Sequence, residues 1–213
     1  VSSMAHTFLN RKFKYTYKNV TLYLIGINVL FYLFAYLSPR INNYLALIPP
    51  LVTHRHWYWQ FVTYMFVHGN FSHLFFNMFG LFMFGLPVER RLGSREFLLF
   101  YLLVGTLSGI FSYVAYLIAG QAFILVGASG AIYGLLLAFA VLYPRARVLL
   151  FGIIPIKAPY LVIGYTVLEI FNQVSGSSQG VAHLTHLAGF GFAYLYFVLR
   201  LKIKPLQEWR RHV

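Results

Sequence analysis

The sequence predicts an all-α membrane protein, a bundle of six transmembrane helices with both termini in the cytoplasm. Three observations carry that expectation. Of 213 residues, 60% are apolar and 20% aromatic, only 10% are charged, and the mean hydropathy is +0.69; a soluble domain carries about a quarter charged residues. Apolar runs near 20–37, 70–87, 97–119, 123–143, 158–173 and 181–201 are separated by turn or charge signals, and lengths close to ~20 residues suit the hydrocarbon layer. Finally, 15 of the 17 lysines and arginines fall on one side of the resulting alternation.

Taken in order, residues 1–19 form a basic segment with Arg11, Lys12, Lys14 and Lys18, and the first run then crosses outward. The connection over 38–69 is long and aromatic, with Tyr44, Leu45, Leu47, Ile48, Trp57, Tyr58 and Trp59. It either lies in the membrane interface, where amphipathic rings settle, or folds over a small core of its own. The second run returns inward to Arg90, Arg91 and Arg95, and the third goes out again. The fourth ends before Arg145, Arg147 and Lys157; the fifth is the shortest and carries Glu169. The sixth leads to Arg200 and a basic tail, 202–213, with Lys202, Lys204, Arg210 and Arg211. Only Arg40 and Arg55 lie opposite, a bias that holds both ends in the cytoplasm. Residues 20–201 therefore form one integral domain, with no room for a separate soluble one.

The composition also excludes chemistry. Cysteine and aspartate are absent, and the four carboxylates are Glu89, Glu96, Glu169 and Glu208. That removes disulfides, a thiolate nucleophile, an aspartic dyad and a carboxylate-rich metal cage, so neither metal nor cofactor is expected. The formal charge of +13 sits at the ends of apolar runs rather than in a solvated patch. It points to membrane lipids as partners and away from nucleic acid. Nothing in the sequence sets an oligomeric state.

Inside a bilayer, the residues that cost energy to place are the functional candidates. The second span carries His73 and Asn77, an i,i+4 pair on one face; the fourth holds Gly127-Ala128-Ser129-Gly130; the sixth begins with His183 and His186. All three spans run inward, so similar distances from their starts place Asn77, Ser129 and His186 in one layer, ~7–11 Å below the outer surface. Water reaches that layer, as hydrolysis requires. A serine hydroxyl needs a neighbouring base, and histidine suits the task. Gly130 with Gly134, and Gly189 with Ala193, give small-xxx-small faces on which the fourth and sixth spans can meet. Tyr133, four residues after Ser129, is placed to stack on His186, while His73, Asn77 and the Ser129 backbone N–H are suitable oxyanion donors. A polar clasp between helices is the plainer reading of His73 and Asn77. Ser108, in Gly105-Thr106-Leu107-Ser108-Gly109, falls near mid-membrane and reads as small-residue packing.

Together these motifs resemble the rhomboid intramembrane serine proteases, specifically the compact six-span bacterial type. The resemblance covers about 57–195: Trp59-Gln60, His68-Gly69-Asn70-Phe71-Ser72-His73 followed by Asn77, Glu89-Arg90, Gly127-Ala128-Ser129-Gly130, Tyr133, and His183-Leu184-Thr185-His186-Leu187-Ala188-Gly189. It implies Ser129 as nucleophile, His186 as general base and acid, His73 and Asn77 as oxyanion donors, Tyr133 as stacking residue and Gly127 as part of the backbone around the nucleophile. It also implies transmembrane-protein substrates admitted between spans two and five, and location in the bacterial cytoplasmic membrane. Two positions depart from the family pattern: Gln60 stands where some relatives carry arginine, and Ala193 where glycine is frequent.

His183 reads as structural or water-organising, with the role of base as its alternative. Glu169 reads as an interfacial residue reaching water, with a gating or pH-sensing role as the alternative. A silent relative that binds clients without cutting them, and a transporter or channel, are the rival functions. The first is disfavoured because serine, histidine and oxyanion candidates occur together, and the second because the polar residues form one shallow layer.

Overall fold

The first helix, α1 (Val20–Leu37), starts without help from its neighbours in sequence: Asn19 has φ 54° and its side chain makes no cap. Helix starts leave N–H groups unpaired and favour negative charge, and here Glu89 supplies both needs. Its carboxylate accepts from the Val20 and Thr21 amides (2.7 and 2.8 Å) and the Thr21 and Ser94 hydroxyls (2.8 and 2.5 Å). Glu89 is fully buried, and the approach to α1 is fixed further by Lys18 N–H to Ser94 Oγ and Ser94 N–H to the Thr16 carbonyl. This arrangement belongs to a computed structural model that describes residues 13–38, 40–120, 123–150, 152–175 and 180–212. Arg11 and Lys12 of the expected basic N-terminal segment, and Val213 of the tail, lie outside the described residues.

The connection after α1 folds into α2 (Arg40–Leu45), α3 (Pro49–Arg55), α4 (Gln60–Thr63) and a 3-10 turn, Tyr64–Phe66. Gln60 pins it from within, accepting from Ile48 N–H (3.0 Å) and donating to the Tyr44 carbonyl (3.2 Å). Leu47, Val52, Tyr64 and Met65 are buried beneath, whereas Tyr44 and Tyr58 stay exposed. Tyr44, Trp57 and Trp59 cluster with ring centroids 5.1–5.3 Å apart. The segment thus folds onto the common core of the helices and keeps an aromatic outer surface.

Asn70 caps α5 (Phe71–Gly80) by accepting from His73 N–H at 2.8 Å. A π-helical turn, Leu81–Gly85, carries the same path into α6 (Leu86–Leu92), and α7 (Ser94–Ala119) follows. The fourth apolar run does not become helical where the sequence suggested. Residues 123–128 are non-helical, and α8 spans only Ser129–Leu142. The Leu125 and Gly127 amides bond instead to the carbonyls of Leu47 (2.9 Å) and Tyr64 (2.9 Å), so the outer connection holds this stretch open. Ser129 is therefore the first residue of its helix rather than the sixth or seventh of a longer one.

A second correction concerns the all-α expectation. Between α8 and α9 the chain forms an antiparallel hairpin, β1 (Arg147–Leu150) and β2 (Ile154–Lys157), with Gly152 at φ 74° in its turn. Val148, Ile154 and Ile156 favour extended backbone, and the ladder pairs main-chain groups of the connection between α8 and α9. Then come α9 (Ala158–Val174), α10 (Gly180–Tyr196) continuing as a π-helical turn over Phe197–Leu201, and α11 (Pro205–His212). At the far end from Ser129, Arg200 binds both oxygens of buried Glu96 (2.5 and 2.8 Å), tying α10 to the start of α7.

Among the described residues, four helical stretches are long and apolar enough to cross a bilayer: Val20–Leu37, Phe71–Leu92, Ser94–Ala119 and Ala182–Leu201. Helices α8 and α9, with 14 and 17 residues, are shorter. Helix α8 is enclosed by its neighbours, with most of its residues buried.

Candidate active site

The pairing of α8 with α10 builds the site, and small residues make it possible. A Cβ added at Gly189 would stand 2.1 Å from the Gly130 carbonyl oxygen, and one at Gly134 would stand 3.3 Å from the Gly189 carbonyl and 3.4 Å from Ala193 Cβ. Backbone meets backbone beside Ser129 and one turn past His186. At that separation Ser129 Oγ and His186 Nε2 are 2.8 Å apart, a hydrogen bond. The Tyr133 ring lies parallel to the imidazole, with centroids 4.1 Å apart and planes 9° apart.

Gly127 shapes the other wall. Its φ of 109° strains any L side chain, and a Cβ there would lie 2.7 Å from His73 Cε1 and Nε2. The missing side chain lets the His73 imidazole lie against the backbone leading into Ser129. Asn77 donates one amide hydrogen to the His73 carbonyl (2.8 Å), while its Oδ1 is buried without a partner among the described residues. His68 packs edge-on against His73 at 5.2 Å between centroids. Because α8 starts at Ser129, its first N–H groups have no carbonyl one turn back; the ladder opens with Ile132 N–H to Ala128. The cluster thus offers a hydroxyl against an imidazole, with the positive end of a helix and a histidine beside it.

Glu169 is where the structure departs most from the sequence reading. It was expected to reach water; instead it is 4% exposed and points into the cluster from α9. Its Oε1 lies 3.0 Å from His186 Nδ1 and accepts the Tyr133 hydroxyl; its Oε2 lies 2.5 Å from His183 Nδ1. Three donors repay the cost of burying the carboxylate. His183, the alternative base, bonds to this carboxylate, and the Ser129 hydroxyl bonds to His186. The available clue was that Glu169 is the one carboxylate within an apolar run of a chain lacking aspartate. Donors of Glu169, His183 and His186 lie within 4.8 Å of one another, close enough to share a divalent cation. Each is already satisfied by the others. Ser108 donates to the Val104 carbonyl at 2.8 Å and packs beside Gly130, away from the pair.

With this geometry, comparison with known proteins is decisive. A rhomboid domain matches residues 55–203. The chain belongs to the rhomboid family. This rhomboid is similar to YdcA of Bacillus subtilis, 33% identical over 147 residues, which cover 68% of this chain and 69% of that protein. It is also similar to Rhomboid protease AarA of Providencia stuartii, 28% identical over 214 residues covering 88% of this chain and 75% of that protein. A third relative is the chloroplast Rhomboid-like protein 11 of Arabidopsis thaliana, 32% identical over 149 residues. The match covers 62% of this chain but only 49% of that protein, so the rhomboid spans about half the length of its plant relative. With its apolar helices and its protease relatives, this rhomboid is an integral membrane protein and a serine intramembrane protease.

Proposed function

We propose that this rhomboid hydrolyses peptide bonds in or near transmembrane segments of other membrane proteins, with Ser129 as nucleophile and His186 as general base and then general acid. The observation that carries this reading is the 2.8 Å approach of Ser129 Oγ to His186 Nε2. Ser129 Oγ attacks the scissile carbonyl carbon while Nε2 takes its proton. The tetrahedral intermediate collapses, and the imidazolium gives that proton to the leaving amine, leaving an ester on Ser129. Water then attacks the ester carbonyl as Nε2 accepts its proton; collapse frees the carboxylic acid, and the proton returns to Ser129. The oxyanion is held by the Ser129 backbone N–H with His73 and Asn77, supported by the start of α8.

Six spans follow if α8 and α9 join the four longer helices, and the basic residues then hold both termini in the cytoplasm. Ser129 and His186 would lie below the outer face, within reach of water. The outward side of α5 carries Phe71, Phe75, Phe76 and Phe79, all exposed, which suits a lipid-facing access route beside α9. Substrate helices containing glycine or other weak helix formers unwind most readily there, since they have the least helix propensity to lose. The working membrane is the bacterial cytoplasmic membrane, with lipids and transmembrane proteins as partners.

Labelling of the detergent-purified protein with a fluorophosphonate tests the assignment. Wild type should label, Ser129→Ala should not, and His186→Ala should be slowed at least roughly 100-fold. Label persisting in Ser129→Ala removes the nucleophile. Loss of labelling in His183→Ala but not in His186→Ala reassigns the base. Folded wild type that neither labels nor cleaves supports a client-binding protein instead.

A further inference from the structure

We propose that Glu169 is a positioning residue that extends the pair into a Ser129, His186, Glu169 relay, its carboxylate fixing which imidazole nitrogen carries the proton. The inference rests on the assignment of Ser129 and His186 above. Both ring nitrogens of His186 are engaged, Nε2 with Ser129 Oγ at 2.8 Å and Nδ1 with Glu169 Oε1 at 3.0 Å. An ionised carboxylate only accepts hydrogen bonds, so Nδ1 carries the hydrogen and Nε2 presents its lone pair to the hydroxyl. When Nε2 gains the serine proton, the imidazolium stands beside a buried negative charge, where that attraction is strong.

The surroundings hold the carboxylate as firmly as it holds the imidazole. Tyr133 performs two tasks: its ring stacks on His186 and its hydroxyl donates to the same Oε1 that faces Nδ1. His183, one turn before His186, binds Oε2. Ring plane, ring rotation and carboxylate position are therefore set by α8, α9 and α10 together. No other carboxylate is placed for this: Glu89 holds the start of α1, Glu96 is bound by Arg200, and Glu208 pairs with Arg211. The titratable groups that bear on His186 are His73 from α5, Tyr133 from α8, Glu169 from α9 and His183 from its own helix, with Tyr165 of α9 behind Tyr133.

The test is the pH profile of the fluorophosphonate labelling rate, per folded protein, for wild type, Glu169→Gln, Glu169→Asp, Ser129→Ala and His186→Ala. Glutamine keeps the shape and loses the charge, so labelling should fall roughly 100-fold or more. Its acid limb should move to lower pH by about one unit, because the base loses the neighbour that favours its protonated form. Aspartate should restore part of the rate and of the acid-limb position. A folded Glu169→Gln that labels within threefold of wild type overturns the relay, as does a slowed one whose acid limb has not moved, since mere structural support would do that. If the glutamine variant is not recovered folded, Glu169→Asp decides: a lowered rate with a shifted limb supports the relay, and wild-type behaviour overturns it. Label persisting in Ser129→Ala would instead sink the underlying assignment.

Discussion

Substituting Gly189 by alanine adds one methyl group where α8 and α10 touch, and the structure sets the size of its effect. The new Cβ would sit 2.1 Å from the Gly130 carbonyl oxygen, and restoring an ordinary contact near 3.4 Å requires about 1.3 Å of separation in an interior packed like an organic crystal. The obstructing atom is backbone, so no side chain can swing aside. Gly130 adjoins Ser129, and Gly189 lies one turn from His186, so most of that displacement reaches the 2.8 Å hydrogen bond and opens it to about 4 Å, beyond hydrogen-bonding range. A misplacement of 1 Å costs roughly 100-fold in rate, and overpacking destabilises by about 1–3 kcal/mol. The assay is the fluorophosphonate labelling rate alongside thermal unfolding in the same detergent. Gly191→Ala, on the same helix with nothing within 4 Å of the added Cβ, is the control expected to match wild type in rate. Gly189→Ala with wild-type labelling and stability would refute the claim that backbone contact between α8 and α10 holds the pair together.

Gly127→Ala should abolish labelling and lower the melting temperature, because the methyl group meets both a φ of 109° and the His73 ring at 2.7 Å; strained backbone alone costs about 1–3 kcal/mol. Glu89→Gln should destabilise the fold by about 2–4 kcal/mol through loss of charge-assisted bonds to the start of α1, read as easier unfolding and faster proteolysis within residues 13–19. His68, in the connection before α5, is 3% exposed, and burial first, then neighbouring His73, lower its pKa from 6.5 to about 3. Its depressed value means the unfolded chain binds the proton first. The native state therefore keeps full stability above pH 6.5 and loses roughly 1.4 kcal/mol per pH unit down to about 3. His68→Phe should flatten that dependence in unfolding measured at pH 7.5, 5.5 and 4.5, and an unchanged slope would discard this account.

Much of the site was legible because lipid is an unforgiving solvent. Ser129, His186, His73 and Asn77 stand out as polar residues in or beside apolar runs. The meeting of α8 with α10 was readable from glycine and alanine spacing, and the Tyr133 stack from its position one turn after Ser129. Glu169 was not readable, because a carboxylate near the end of a short span has the same linear signature whether it turns to water or inward. Only the rotation of α9 about its axis separates the two. The late start of α8 was hidden for a related reason: residues 123–128 are as apolar as a helix, but their amides are bonded by Leu47 and Tyr64, more than 60 positions upstream. The β1–β2 hairpin was hidden by its brevity.

The bond between Glu89 and the opening turn of α1 reaches across 68 and 69 positions of sequence. A ribosome adding ~5–20 residues per second needs roughly 3–14 s to cover that distance. For that interval α1 has an unfinished end. Its completion waits on the arrival of α6 and Ser94, so a single carboxylate ties the start of α1 to the moment the residues 68 and 69 positions later are in place.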